Sequence, residues 1–189
     1  MRVLFCILAG GKSSRFNSDK RKAHLLGKEL LDYPIESVEL LGYRPIVSLR
    51  FNDDLKTDYP IVKDPLPFLG PLCGMLEVMK QNKADFYIFL TSDMPFITGK
   101  MLKMMIDNLS VQFDAVAFNC DGVRLFPLAL SQKTERLIKN TGCKNRSIKS
   151  FIEKLNIKYI DWHNCTDFFN INTKEDLKKA EGYLLSKAE

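Results

Sequence analysis

RVLFCILAGG, residues 2–11, is a nearly continuous apolar run that ends in two glycines. A run of strand length without polar alternation is typical of a parallel strand that is buried on both faces of a sheet. Gly10 and Gly11 would leave backbone N–H groups uncovered at the carboxyl edge of that sheet, where open α/β folds bind their ligands. The stretch therefore predicts a first parallel strand over Arg2–Leu8 and a ligand site immediately after it.

The rest of the chain alternates between extended and helical patterns. Thr98 and Thr173 are the expected N-caps of two helices. The length of 189 residues, without a repeat or linker, fits one domain. We therefore predict a single α/β domain over residues 1–189, with a doubly wound, mostly parallel, Rossmann-like sheet and helices on both faces. Further strands are predicted at residues 44–50, 61–65, 85–91, 114–119 and 157–162, and helices at 30–42, 72–82, 97–109, 147–155 and 173–188 and from Ser131.

Composition and cysteine spacing indicate a folded, cytoplasmic protein. The hydrophobic share of 46% and the charged share of 27% are those of a globular chain and not of a disordered one. VLFCILA is too short to span a membrane and has no signal-peptide cleavage site after it. The five cysteines form no CxxC pair, so we expect reduced thiols, with Cys6 as a core residue. His24 and His163 lack the spacing of a zinc site.

A cluster of basic residues follows the two glycines and points to an anionic ligand. In a chain of net charge +5, such a local cluster suits a phosphorylated small molecule, so we expect neither a nucleic-acid nor a membrane partner. The P-loop pattern and the GxGxxG pattern are both absent, which argues against an ordinary ATPase or a dinucleotide-dependent oxidoreductase. The alternative is a solvated basic loop without a ligand. The cluster comprises Lys12, Arg15, Lys20, Arg21, Lys22 and Lys28.

Asp93 is the strongest candidate for a metal ligand. It follows the predicted strand over Asp85–Thr91, and Pro95 fixes the turn behind it. Because the ends of parallel strands meet at one edge of a sheet, this carboxylate should face the basic glycine loop. Mg²⁺ is commonly held by one or two carboxylates together with phosphate oxygens and water. The alternative is a structural role in which Asp93 caps the following turn.

Five segments, in this order and spacing, resemble the molybdenum cofactor guanylyltransferases within the glycine-rich nucleotidyltransferases. They are LAGGKSSRFNSDK (8–20), DPLPFLGPLCGM (64–75), TSDMPF (91–96), RLFPLALS (124–131) and FFNINTKEDL (168–177). The resemblance implies Mg²⁺-dependent transfer of GMP from GTP to Mo-molybdopterin, which forms molybdopterin guanine dinucleotide and pyrophosphate. It also implies contacts with a molybdenum-insertion protein and with molybdoenzyme apoproteins or their chaperones.

The resemblance carries roles to individual residues of this chain. Arg15, Lys20 and Asp93 match the catalytic residues, and Asp93 also matches the Mg²⁺ ligand. The acceptor side is matched by Asn170 and Asn172. The nucleotide is expected to contact Leu8, Ala9, Gly10, Gly11, Lys20, Asp64, Gly70, Pro71, Leu72, Gly74 and Asp93.

The sequence departs from the family pattern after Arg15, at Arg50 and at Lys174, and it leaves alternatives open. Lys22 competes with Lys20 for the role of the phosphate lysine, and Arg50 stands where the family commonly has an asparagine. A cytidylyltransferase or a sugar-phosphate nucleotidyltransferase would share the glycine-rich start. A non-catalytic molybdopterin carrier is the alternative from another class of protein.

Overall fold

A computed structural model describes residues 1–11, 16, 19–65, 70–141 and 147–186. Two short 3₁₀ helices occupy Lys20–Lys22 and Cys165–Phe168. The strands are β1 (Val3–Leu8), β2 (His24–Leu25), β3 (Lys28–Glu29), β4 (Ile46–Leu49), β5 (Ile61–Lys63), β6 (Phe86–Thr91), β7 (Ala115–Asn119), β8 (Val123–Ser131) and β9 (Ile157–Asp161). The helices are α1 (Asp32–Glu39), α2 (Pro71–Gln81), α3 (Gly99–Asp107), α4 (Thr134–Thr141), α5 (Ile148–Ile152) and α6 (Lys174–Ser186).

Seven strands form one sheet in the order β5-β4-β1-β6-β8-β7-β9. β8 is antiparallel to both of its neighbours, and the other pairs are parallel. The predicted α/β class with a mostly parallel sheet is therefore confirmed. The register between β7 and β8 shifts beside the segment that contains Pro127, which lacks a backbone N–H and so fits an irregular position.

Helices cover both faces of this sheet, as predicted, because β1 and β6 are apolar on both sides. Phe5 and Ile7 belong to a cluster with α1 and α3 residues, whereas Cys6 belongs to a second cluster with α2, α4 and α5 residues. Thr98 caps α3 by accepting a hydrogen bond from the Met101 backbone N–H. The apolar residues on both faces of these strands are therefore buried under one layer of helices on each side of the sheet.

A third cluster, made of Phe16, Leu25, Leu30, Phe96, Ile171 and Ala180, lies beside the main sheet. It joins the small β2–β3 hairpin to α6, and the sequence patterns did not predict that hairpin. The Phe96 ring lies 4.8 Å from the Tyr183 ring of α6. This third cluster brings the segments that follow β1 and β6 together with the late segment around Ile171.

The prediction of reduced thiols is wrong for Cys120 and Cys165, which form a disulfide. They are 45 residues apart in sequence, but the fold brings their Cα atoms to 5.6 Å, a distance that a disulfide can bridge. Cys73 is also disulfide-bonded. Cys6 is free and fully buried in β1, as expected of a core residue. In the described ranges, no helix combines the length and the hydropathy that a membrane crossing requires.

Candidate active site

An open cleft of ≈ 910 Å³ lies at the carboxyl ends of β1, β4 and β6. Phe126 of the reversed strand β8 also reaches it. Leu72 does not line it, because its side chain is buried in the core at the start of α2. Ten residues that the sequence assigned to a nucleotide site line the cleft: Leu8, Ala9, Gly10, Gly11, Lys20, Asp64, Gly70, Pro71, Gly74 and Asp93.

The two glycines after β1 form one wall of the cleft. Ala9 donates its backbone N–H to the Ser48 carbonyl at 2.9 Å, which keeps the β1 end beside β4. A Cβ atom on Gly10 would lie 3.2 Å from Cγ and 3.3 Å from the backbone nitrogen of Arg50. Nε of Arg50 donates a hydrogen bond to the Gly10 carbonyl. Glycine at position 10 therefore lets Arg50 lie directly against the loop.

Lys20 points into the cleft, whereas Lys22 is exposed to solvent. Nζ of Lys20 lies 2.8 Å from Oδ2 of Asp93 and 3.2 Å from Oδ1 of Asn172. The side chain of Lys20 is only 13% exposed. Asp19 fixes this orientation, because its carboxylate accepts a hydrogen bond from the Arg21 backbone N–H and caps the short 3₁₀ helix.

The late Asn-x-Asn segment, residues 170–172, contacts a cleft residue through Asn172 and not through Asn170. The Ile171 backbone N–H donates to the Asp93 carbonyl at 2.9 Å, which ties this segment to the turn after β6. Asn172 therefore contacts Lys20, although neither asparagine lines the cleft itself. Asn170 is exposed to solvent.

Asp93 has the features of a Mg²⁺ ligand at a nucleotide site. Its Oδ2 pairs with Lys20, and its Oδ1 is buried and has no hydrogen-bond partner among the described residues. A buried carboxylate oxygen without a partner is costly, and a cation would satisfy it. Because Mg²⁺ takes many of its ligands from phosphates and water, one protein carboxylate at this position is sufficient. The residues present therefore fit the metal that the resemblance implies.

Arg21, a member of the predicted basic cluster, is paired within the protein, which the sequence did not predict. Its Nη1 lies 2.6 Å from Oδ2 of Asp53 and 3.2 Å from the Ala9 carbonyl oxygen, and its Nη2 lies 2.7 Å from Oδ2 of Asp19. The hydrogen bond from Arg21 holds the pKa of Asp19 below its ordinary value. Arg21 therefore ties the 3₁₀ helix that carries Lys20 to the end of β1. The basic run predicted positive charge here but not which side chains are paired.

Asp64 lies at the other end of the cleft, after β5. Its backbone N–H donates to the Leu49 carbonyl at 2.9 Å, so it sits next to the end of β4. A Cβ atom on Gly74 would lie 3.0 Å from Oδ1 of Asp64 and 3.2 Å from Oγ of Ser48. Burial raises the pKa of Asp64 to about 6, and the charge of Arg50 partly opposes this effect. At neutral pH, Asp64 is therefore a partly desolvated carboxylate.

Arg15, the remaining predicted catalytic residue, lies outside the described residues. Six other predicted positions lie at this sheet edge in two groups. Lys20, Asp93 and Asn172 lie at the β6 side, and Asp64, Gly70 and Gly74 lie at the β5 side. One end of the cleft therefore holds the Lys20–Asp93 pair, and the other end holds the partly desolvated Asp64 carboxylate.

Comparison with known protein families agrees with this arrangement. Residues 5–158 match the model of the MobA-like NTP transferase domain. The chain belongs to this family. The predicted family resemblance is confirmed, and so is the prediction that the protein is an enzyme of the nucleotidyltransferase type.

Relatives of this MobA-like chain span nearly its whole length. The molybdenum cofactor guanylyltransferase of Haemophilus influenzae (strain 86-028NP) is 29% identical over 184 residues, which cover 92% of this chain and 95% of the relative. The probable molybdenum cofactor guanylyltransferase of Bacillus cereus (strain G9842) is 27% identical over 190 residues, with coverages of 93% and 94%.

A solved structure supports the fold of the MobA-like domain. The crystal structure of molybdopterin-guanine dinucleotide biosynthesis protein A from Archaeoglobus fulgidus matches with a TM-score of 0.79 at 20% identity. The match covers 96% of this chain and 98% of that one. The two chains therefore share the same α/β architecture along almost their entire length.

Proposed function

We propose that the protein transfers GMP from GTP to Mo-molybdopterin, with Mg²⁺ as cofactor, and forms molybdopterin guanine dinucleotide and pyrophosphate. The observation that carries this proposal is the Lys20–Asp93 pair, 2.8 Å apart, in the cleft that the glycine loop lines. The names of the bacterial relatives support the choice of GTP and molybdopterin. We infer a cytoplasmic location; the Cys120–Cys165 disulfide does not exclude it, because some intracellular proteins also carry structural disulfides.

The reaction needs charge neutralisation more than it needs a protein nucleophile. A phosphate oxygen of the acceptor attacks the α-phosphorus of GTP, the bond to the bridging oxygen breaks, and pyrophosphate leaves with the electron pair. Negative charge then increases on the α-phosphate oxygens and on the leaving group, where fixed cations stabilise it. Bound Mg²⁺ would supply further positive charge at the same phosphates.

Lys20 has a two-part role in this scheme. Without nucleotide, its Nζ balances the Asp93 carboxylate. When the triphosphate enters, Nζ moves from Asp93 to the phosphate oxygens, and the released carboxylate can hold Mg²⁺. We assign Arg15 to the same phosphates because its position matches the family motif. Gly70, Pro71 and Gly74 are assigned to the base and ribose side, and Asn170 and Asn172 to the acceptor side.

The test is an incubation of the protein with Mg²⁺, GTP and molybdopterin, followed by mass analysis and a pyrophosphate assay. The expected result is molybdopterin guanine dinucleotide and one equivalent of pyrophosphate. Product from CTP in place of GTP would identify a cytidylyltransferase instead. Binding of molybdopterin without pyrophosphate release, with every nucleotide, would identify a carrier. The molybdenum-insertion protein and the recipient apoproteins can then be tested as partners of the loaded enzyme.

A further inference from the structure

The carboxyl ends of four adjacent strands order the cleft residues along one line. Asp64 follows β5, Arg50 follows β4, Gly10 follows β1 and Asp93 follows β6. Neighbouring strands lie about 4.8 Å apart, so the line from β5 to β6 spans roughly 14 Å. That distance suits an extended nucleoside triphosphate. If the phosphates lie beside Asp93, the base lies beside Arg50 and Asp64.

Arg50 differs from the other described cations of the cleft in its pairing. Lys20 pairs with Asp93, and Arg21 pairs with two carboxylates. In the part of the chain that the structure describes, Arg50 forms no ion pair, and its Nη2 is buried without a hydrogen-bond partner. A buried donor without an acceptor is costly, so a ligand atom that accepts from this guanidinium is favoured. Arg50 can bind a ligand without first breaking an ion pair.

We propose that Arg50 and Asp64 together select guanine, with the Arg50 guanidinium donating to O6 and N7 and the Asp64 carboxylate accepting from N1–H and the 2-amino group. The inference rests on the proposed function and assigns its base specificity. An arginine fork matches the O6 and N7 acceptors of guanine. Adenine carries an amino group in place of O6 and has neither N1–H nor a 2-amino group, so the Asp64 contacts and the Arg50 contact to O6 would be lost and only N7 would still accept from Arg50. The neighbouring positions of Arg50 and Asp64 allow one base to meet both side chains.

The first test compares the binding of GTP and ATP to the wild-type protein and to Arg50→Met, by calorimetry with Mg²⁺ and without an acceptor. Arg50 also holds the Gly10 carbonyl, so some loss of affinity common to both nucleotides is expected. The decisive quantity is the ratio of GTP affinity to ATP affinity, which should fall at least about fivefold in Arg50→Met. Arg44→Met is the matched control, because Arg44 lies before β4 and does not line the cleft.

The second test uses Asp64→Asn with GTP and XTP. Xanthine has a carbonyl oxygen where guanine has the 2-amino group, so an amide that donates should favour XTP. We expect the ratio of XTP affinity to GTP affinity to rise at least about tenfold. A merely structural role of Asp64 would not produce this gain, and the test stands even if Arg50→Met fails to fold.

Several outcomes would overturn the inference. Equal losses of GTP and ATP affinity in Arg50→Met would assign Arg50 to a phosphate or to the loop, and unchanged affinities would give it no role in binding. An unchanged XTP preference in Asp64→Asn would remove Asp64 from the base site. If the wild-type protein prefers GTP while the variants keep that preference, only this inference fails. If the wild-type protein does not prefer GTP over ATP and CTP, the proposed function fails as well.

Discussion

Replacing Asp64 with asparagine should make the folded protein more stable at neutral pH, although it damages the proposed guanine site. Burial raises the pKa of the Asp64 carboxyl from 3.8 to about 6 in the folded state, with Glu77 adding to the shift and Arg50 opposing it. The folded protein therefore binds this proton more tightly than the unfolded chain does. Between these two pKa values, stability falls as pH rises, and the full penalty is present above about pH 6.

The size of this penalty follows from the shift in pKa. About two pKa units correspond to about 3 kcal/mol as an upper limit, and solvent at the mouth of the cleft reduces this to about 1–2 kcal/mol. An asparagine side chain has nearly the same shape as the Asp64 side chain but carries no charge. Urea denaturation should therefore show Asp64→Asn to be more stable than wild type by this amount at about pH 8, and nearly equal at about pH 3.5, below the unfolded pKa. Equal stability at both pH values, or a less stable variant at about pH 8, would refute the reasoning.

Three further predictions concern the disulfide and the proposed phosphate end of the cleft, which contains Lys20 and Asp93. Lys20→Ala should lower kcat/KM for GTP by at least about tenfold, since a charge-assisted contact is worth about 1.5–3 kcal/mol. Lys22 is exposed, so the Lys22→Ala control should change kcat/KM little. A severe loss only in Lys22→Ala would reverse the assignment of the phosphate lysine. Asp93→Ala should lower product formation by more than about 100-fold with an unchanged far-UV circular dichroism spectrum, and full activity would remove Asp93 from the site. Replacing both Cys120 and Cys165 with serine should lower the free energy of unfolding by up to about 4 kcal/mol, because the disulfide closes a 45-residue loop in the unfolded chain and lowers its entropy. An unchanged thermal midpoint would show that the disulfide restricts the unfolded chain little.

Local sequence signals predicted the sheet and the meeting of the glycine loop with Asp93 at one sheet edge, because each signal depends on a few neighbouring residues. The apolar run over Val3–Leu8, the glycines after it and the strand that leads to Asp93 are all readable in this way. Thr173, a predicted N-cap, accepts a hydrogen bond from the Asp176 backbone N–H, and the Asp176 carboxylate accepts from the Thr173 backbone N–H at 2.9 Å.

Features that depend on contacts between distant segments were not predictable. A basic run gives the sign of the charge, but the pairing of Arg21 with Asp53 requires that the β4 loop return to the β1 end. The Cys120–Cys165 disulfide likewise depends on two segments that meet only in the folded chain. Strands of two residues, such as β2 and β3, are too short to show an alternating pattern.

The third cluster has a consequence for the order in which the protein becomes functional during synthesis. Its members flank the three groups at the phosphate end: Leu25 follows Lys20, Phe96 follows Asp93, and Ile171 precedes Asn172. Ala180 of α6 completes this cluster, although α6 contributes no residue to the cleft. The strands of the sheet can pair as they leave the ribosome, but the third cluster is complete only after α6 has been translated. We therefore expect a nascent chain that is stalled before α6 to form the sheet and yet fail to retain GTP.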